Sequence, residues 1–355
     1  MIDLNTYLEM HSMYEHMGEQ IRLHDVAELT SGYYPMHSKI YSLKDCPYRG
    51  GCVVEGFSEI LKQYVSVEKA ALRPIITPSA VKRFSYADYQ HYSSCLIVAD
   101  TTSFSFNRQY PLTAEYLYRC FRSENMDPLE IEKGLILRPK LREEIDKKKV
   151  IISTAKNECR AMLDAETHVI STLNTYFCSF PREDFQTYKA YTAILNSKLF
   201  NYIFYREMQL AEKLQNTRIE VLLGMPIPKN MQDGKEMLIS ITDCMSYLSN
   251  PDISQLTDRV SNERIGQYIL KILDLIVYEL YFPEYVREHD FRIIRYVEEH
   301  APFMDYRLHI EDRIRETYKW FQQPDNVVRQ VLWLLDTRSP ELLYPIHSFN
   351  PHEQD

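Results

Sequence analysis

Residues 188–229 read YKAYTAILNSKLFNYIFYREMQLAEKLQNTRIEVLLGMPIPK. Tyr188, Tyr191, Ile194, Leu195, Leu199, Tyr202 and Ile203 recur at three- and four-residue steps. That spacing stacks them on one side of a helix, and the stripe must then be buried against another element. After a polar turn, Ile219, Val221 and Leu223 alternate with Glu220 and Leu222, which predicts a short strand. Pro226 and Pro228 lack amide donors and stop further ladder pairing. The expected order is helix, polar turn, strand and a Pro-Ile-Pro stop.

Working outward, residues 1–20 place Leu4, Leu8, Met10, Tyr14 and Met17 near one helical face, which predicts a leading helix. Ile21–Pro35 predicts a short strand and a turn, with Gly32 as its flexible joint. Cys52–Val54, Ile75–Ile76 and Cys95–Ala99 predict further strands. Residues 57–133 hold no Gly, so turns there must rely on Pro, Asp, Asn and Ser. Tyr116–Asp146 predicts a pair of helices, and Val150–Ser153 is a β-branched, apolar strand. His168–Phe180 adds one or two more strands. A polar linker, Asn230–Lys235, leads into a helical region. There Gly266–Phe282 puts Ile269, Ile272, Leu273, Ile276 and Leu280 on one face and stops at Pro283. More helices are expected around Phe291–Glu299, Ile310–Phe321 and Asn326–Leu335.

A chain of 355 residues is long enough for two structural units. Its 45% apolar and 26% charged residues are those of an ordinary soluble protein. No run approaches a membrane-spanning length, and no basic segment followed by an apolar core opens the chain, so a cytoplasmic location without membrane contact is expected. The seven Cys lack the spacing of a zinc site and predict reduced, mostly buried thiols. Net charge is −9, and all of that excess lies in residues 231–355, which hold 13 basic and 22 acidic side chains. Residues 1–230 are neutral, with local basic clusters that can meet phosphates; an acidic region suits a protein partner or solvent.

Several segments resemble the TaqI-like C-terminal specificity domain, the target-recognition module of type I and type II restriction-modification systems. Leu195–Leu199 is similar to a Leu-Asn-Ser-Lys-Leu helix, and Met225–Pro228 to an Ile-Pro-Ile-Pro strand end. Leu23-His24-Asp25-Val26-Ala27 followed by Ser31-Gly32 resembles the opening of such domains. Arg73, Lys82, Arg83 and Tyr86 fit an Arg-containing strand followed by a Lys-Arg-Tyr-like turn, and Leu173, Asn174 and Tyr176 fit a later strand. Leu273–Tyr281 (LDLIVYELY) is similar nearly residue for residue to a helix that commonly closes these modules. The resemblance implies a mixed α/β (α+β) DNA target-recognition domain over residues 21–230, followed by an α-helical spacer and docking region over 231–355. It also implies double-stranded DNA as ligand and an adenine-specific methyltransferase, with or without a nuclease subunit, as partner. S-adenosylmethionine would then sit on that partner and no cofactor on this chain.

Catalytic motifs are missing from the sequence. A methyltransferase of this kind needs a Gly-rich loop and an Asn/Asp-Pro-Pro-aromatic motif. The nine Gly are scattered, and no Pro-Pro dipeptide occurs. Asp127, Glu130 and Lys133 have the wrong spacing for a metal-dependent nuclease. The eleven His form no metal-binding pattern. The chain is therefore expected not to be an enzyme and to hold no metal.

DNA recognition needs only donors on a rigid frame, with Lys and Arg on phosphates and Arg, Lys, Asn and Gln on base edges. Two clusters qualify. One is Arg73, Lys82 and Arg83 with Tyr86 interleaved. The other runs through Lys140, Lys147, Lys148, Lys149, Lys156, Asn157 and Arg160. Three adjacent ammonium groups at Lys147–Lys149 are not expected all to pair internally, which suits phosphate anchoring. Asn157 and Arg160 should lie in a loop between strands, able to enter a major groove. Asn196, Lys198, Leu199, Tyr202, Leu273, Tyr278 and Leu280 are assigned structural and partner-docking roles, and their two helices are expected to pack together. A possible homodimer would serve two half-sites. The alternative is a protein-interaction or assembly module of an anti-phage system, with specificity-like ancestry and no base readout.

Overall fold

The computed structural model describes residues 4–32, 37–46, 51–86, 94–98, 103–127, 143–165, 170–171, 174–214, 217–250, 252–338 and 341–350. The first part contains α1 (Leu4–His16), β1 (Gln20–Arg22), α2 (Leu23–Val26), β2 (Glu28–Ser31), α3 (Ser38–Tyr41) and β3 (Ser42–Lys44). Next come β4 (Val53–Ser58), β5 (Gln63–Glu68), β6 (Leu72–Ile76), β7 (Val81–Lys82), β8 (Ser85–Tyr86) and β9 (Ser94–Ile97). Helices α4 (Ser103–Gln109) and α5 (Pro111–Ser123) precede β10 (Lys149–Ser153), β11 (Arg160–Asp164), β12 (Ile170–Ser171) and β13 (Thr175–Ser179). Among the described residues the remainder is helical apart from one strand: α6 (Phe185–Asn196), α7 (Lys198–Leu214), α8 (Arg218–Gly224), β14 (Pro226–Pro228), α9 (Lys235–Leu248) and α10 (Asn262–Tyr281). It closes with α11 (Pro283–Glu288), α12 (Ile294–His300), α13 (Ile310–Phe321), α14 (Val327–Arg338) and α15 (Tyr344–His347). The mixed α/β class and the helical last third follow the sequence.

A four-stranded antiparallel sheet in the order β11-β10-β13-β2 divides two apolar clusters. Successive side chains in a strand point to opposite faces. Val150 and Ile152 of β10 therefore enter one cluster and Ile151 the other. Ala161 and Cys178 face the first cluster, while Met162 and Phe177 face the second. Coverage on both faces explains why β10 reads as a continuous apolar run. The second cluster lies under a six-stranded sheet, β12-β6-β9-β3-β4-β5, and helix α5. The first contains α6, α7, α9 and α10 and continues across residue 230.

Local chemistry sets the helix ends. Asp184 caps α6 by accepting from the Thr187 amide at 2.7 Å, and Ser261 caps α10 by accepting from Arg264. The predicted strand at Ile219–Leu223 is instead helix α8. Thr217 and Glu220 form a reciprocal capping box, with Glu220 Oε2 accepting from the Thr217 amide at 2.7 Å. That box satisfies orphan amides at a helix start, and it outweighs an alternation only five residues long. Strand structure is confined to Pro226–Pro228, which pairs with β1, Ile21 opposite Ile227. In α1, Met10 and Met13 are buried, whereas Leu8, expected on the apolar face, is exposed. The two helices expected to pack do so: the Lys198 amide at the start of α7 donates to Asp274 Oδ1 of α10 at 2.8 Å.

Candidate nucleic-acid interface

Strand β11 is the edge of its sheet, and its outer backbone groups are satisfied by asparagines of the α6–α7 junction. Asn196 Oδ1 accepts from the Ala161 amide at 2.9 Å, and Asn196 Nδ2 donates to the Ala161 carbonyl at 2.8 Å. Asn201 Oδ1 accepts from the Cys159 amide at 2.8 Å. Arg160, lying between these two anchored residues, is thereby fixed in position. The Phe84 amide donates to the same Ala161 carbonyl at 2.9 Å, which docks the β7–β8 turn on β11. Phe84 takes a left-handed backbone, φ 65°, while its ring is buried in the first cluster. This places Arg83, its neighbour in the turn, beside β11.

A cleft of about 960 Å³ opens between this turn, β11, α7, the end of α9, α10 and Ser348–Asn350. Four of the expected residues meet in it: Lys82, Arg83, Arg160 and Lys198. Glu158, nearly buried, stands between the arginines, with its carboxylate 3.4 Å from Arg83 Nη2 and 3.6 Å from Arg160 Nε. Lys198 Nζ donates to the His347 carbonyl at 2.8 Å. Burial pulls the Lys198 ammonium below its ordinary pKa; Asp274 opposes this and Arg83 adds to it. Asp274 is half-buried on α10, and desolvation holds its carboxyl above the usual range against the Lys198 amide, Lys198, Arg83 and His347. Met245, Leu248, Leu270 and Phe349 supply apolar surface, and Glu263 and Gln267 stand exposed on the α10 side.

Other expected residues lie elsewhere. Arg73, on β6 in the six-stranded sheet, donates to its own strand's Leu72 carbonyl at 3.0 Å. The register pairs Ser153 with Arg160 and Lys149 with Asp164. Lys147–Lys149 is therefore at the far end of the β10–β11 hairpin, about 13 Å along the strand from Arg160. Lys149 is buried, with its ammonium 2.6 Å from Asp164 Oδ2 and a further bond to the Ile145 carbonyl. A phosphate contact by Lys149 is excluded by that burial. Its neighbours also have internal contacts: Lys147 pairs with Glu144 at 3.1 Å, and Lys148 lies 4.9 Å from the Phe185 ring centre. All three ammonium groups are thus engaged, contrary to expectation, although Lys147 and Lys148 remain exposed.

Asn157 does lie in the loop between β10 and β11, with φ 55°, and its Oδ1 is buried without a partner among the described residues. Arg160 starts β11 rather than lying in that loop. Tyr86 is placed in β8 and Lys156 in a 3₁₀ turn, but their side chains, like the whole of Lys140, lie outside the described residues. Leu199, Tyr202, Leu273, Tyr278 and Leu280 are at most 1% exposed. They pack this chain's own core and present nothing for another polypeptide to dock on; Asn196 is equally buried. Sequence reasoning missed Glu158, Asp274 and Phe349. Glu158 had one signal, a carboxylate set among basic residues, while the other two had none.

All seven cysteines are free thiols, and only Cys52 is exposed. No group of metal-binding side chains occurs among the described residues, and no described helix is long and apolar enough to cross a membrane. Compared with known proteins, the chain matches no family model, and no curated protein is significantly similar to it.

Proposed function

We propose that this chain is a DNA specificity (target-recognition) subunit, or a specificity fragment, of a bacterial restriction-modification system. It selects the site at which a partner adenine-specific methyltransferase or nuclease acts. One observation carries the reading. In a chain of net charge −9, four cations from the β7–β8 turn, β11 and α7 converge on one cleft that holds two carboxylates. Local positive charge on an acidic protein steers a polyanion to that place. S-adenosylmethionine and the transfer chemistry belong to the partner in this reading. Gel-shift selection from a randomised duplex pool tests it: enrichment of one sequence supports it, and no enrichment with or without the methyltransferase rejects it.

A second reading, a protein-interaction module without base readout, is favoured by Trp333 of α14. This ring is 64% exposed in the acidic helical region. Exposed Trp is a frequent anchor of protein interfaces. The readings separate on ionic strength, because duplex binding weakens steeply with salt and contact through Trp333 does not.

A further inference from the structure

We propose that the cleft beside the Arg83 turn binds a single nucleotide unit, with its phosphate between the guanidinium groups of Arg83 and Arg160 and with Lys198 alongside. The proposal deepens the DNA reading by naming the chemical group that this site takes. Arg83 and Arg160 share one carboxylate, Glu158, at 3.4 and 3.6 Å. Charge-assisted bonds normally close to about 2.7–2.9 Å, so neither guanidinium is saturated by Glu158. Arg83 Nε is buried without a hydrogen-bond partner among the described residues, and Arg160 Nε has only the Glu158 carboxylate, at the long distance of 3.6 Å. Buried donors of this kind are costly unless an acceptor arrives.

A phosphate supplies such acceptors, and paired guanidinium forks match its geometry. Charge points the same way. Glu158 offsets one of the two arginines, and Asp274, which takes the Lys198 amide, faces the Lys198 side of the cluster. Lys82 at the rim adds a further cation, so positive charge is in excess on this wall. Burial depresses the Lys198 ammonium most, Asp274 opposes it, and the like charge of Arg83 adds to the depression. Across the cleft, Met245, Leu248, Leu270 and Phe349 give a sugar or base an apolar surface. Inorganic phosphate would leave that wall uncovered. The volume, about 960 Å³, is at the upper end of small-molecule sites, which run to roughly 1,000 Å³.

Calorimetric titration of the full chain with dAMP, with inorganic phosphate and with random duplex DNA provides the test. dAMP is expected to bind the native chain, and Arg83→Met with Arg160→Met should weaken it at least tenfold. The same pair should lower the salt slope of duplex binding by about 0.9, the share of one phosphate. Should the double variant fall short of the wild-type urea midpoint, Lys198→Met serves in its place with the same expected direction. Absence of dAMP binding, equal binding by the variants, or phosphate binding as tightly as dAMP overturns the site. Duplex selection that persists unchanged in the variants removes this site but leaves the DNA reading. dAMP binding without any duplex binding keeps the site and removes that reading.

Discussion

The side-chain amide of Asn196 closes both outward backbone bonds of Ala161, accepting at 2.9 Å and donating at 2.8 Å. It does for the edge strand β11 what a neighbouring strand would do. The carbonyl it meets also receives the Phe84 amide, so α6, β11 and the Arg83 turn share one anchoring point. Asn196→Ala leaves the buried Ala161 amide unpaired, while the Ala161 carbonyl keeps its bond from the Phe84 amide. At about 1–3 kcal/mol for one orphaned group, a loss in that range is expected from urea denaturation. A loss below about 1 kcal/mol would mean that the strand edge is held by something else.

Lys149 and Asp164 form a buried ion pair, 2.6 Å apart, at the other end of the same hairpin. Lys149→Met strands a buried carboxylate and is expected to cost about 3–5 kcal/mol. Adding Asp164→Leu removes the orphaned charge and should restore most of that stability. A double variant no better than the single one contradicts this account, with both denaturation midpoints as the measurement.

Asp274 gives a pH dependence of defined sign. Its folded carboxyl is raised by burial, so the native state holds the proton more tightly than the unfolded chain. The stability it contributes is full below the unfolded value of about 3.9 and is lost as pH rises through the folded value. Asp274→Asn removes the penalty and keeps an oxygen acceptor for the Lys198 amide. The variant should therefore have a higher urea midpoint than wild type at pH 7, with the gap closing at acid pH. Equal midpoints at pH 7 would show that Lys198 and Arg83 already offset the burial.

Lys147 and Lys148 remain the exposed cations at the far end of β10. Under the DNA reading, Lys147→Glu with Lys148→Glu should weaken duplex binding and lower its salt slope by about 0.9 for each phosphate no longer neutralised. Lys149 is left intact because its substitution would test folding. Unchanged affinity and slope would restrict DNA binding to the cleft.

Much of the secondary structure was legible because burial imposes periodicity. Helix α10 and strand β10 follow from their apolar patterns, and Pro283 marks the end of α10. At residues 218–224 the alternation misled, since five residues fit either period and the Thr217–Glu220 box decided for helix. The candidate site was legible as residue types but not as a place. Lys147–Lys149 reads as one basic run, yet Lys149 pairs with an Asp164 fifteen residues away, visible only once β10 and β11 are in register. Arg83 and Lys198 are 115 positions apart in sequence and meet only because Phe84 and Asn196 bond to the same carbonyl. The wall at Phe349 comes from a stretch whose pattern offered no functional signal.

Strand β10 serves two apolar clusters with alternate side chains, Val150 and Ile152 to one and Ile151 to the other. It therefore works as a party wall between two rooms. Neither room can lose this wall and keep its own lining, so the six-stranded sheet and the helical assembly are bound to melt as partners rather than as independent tenants.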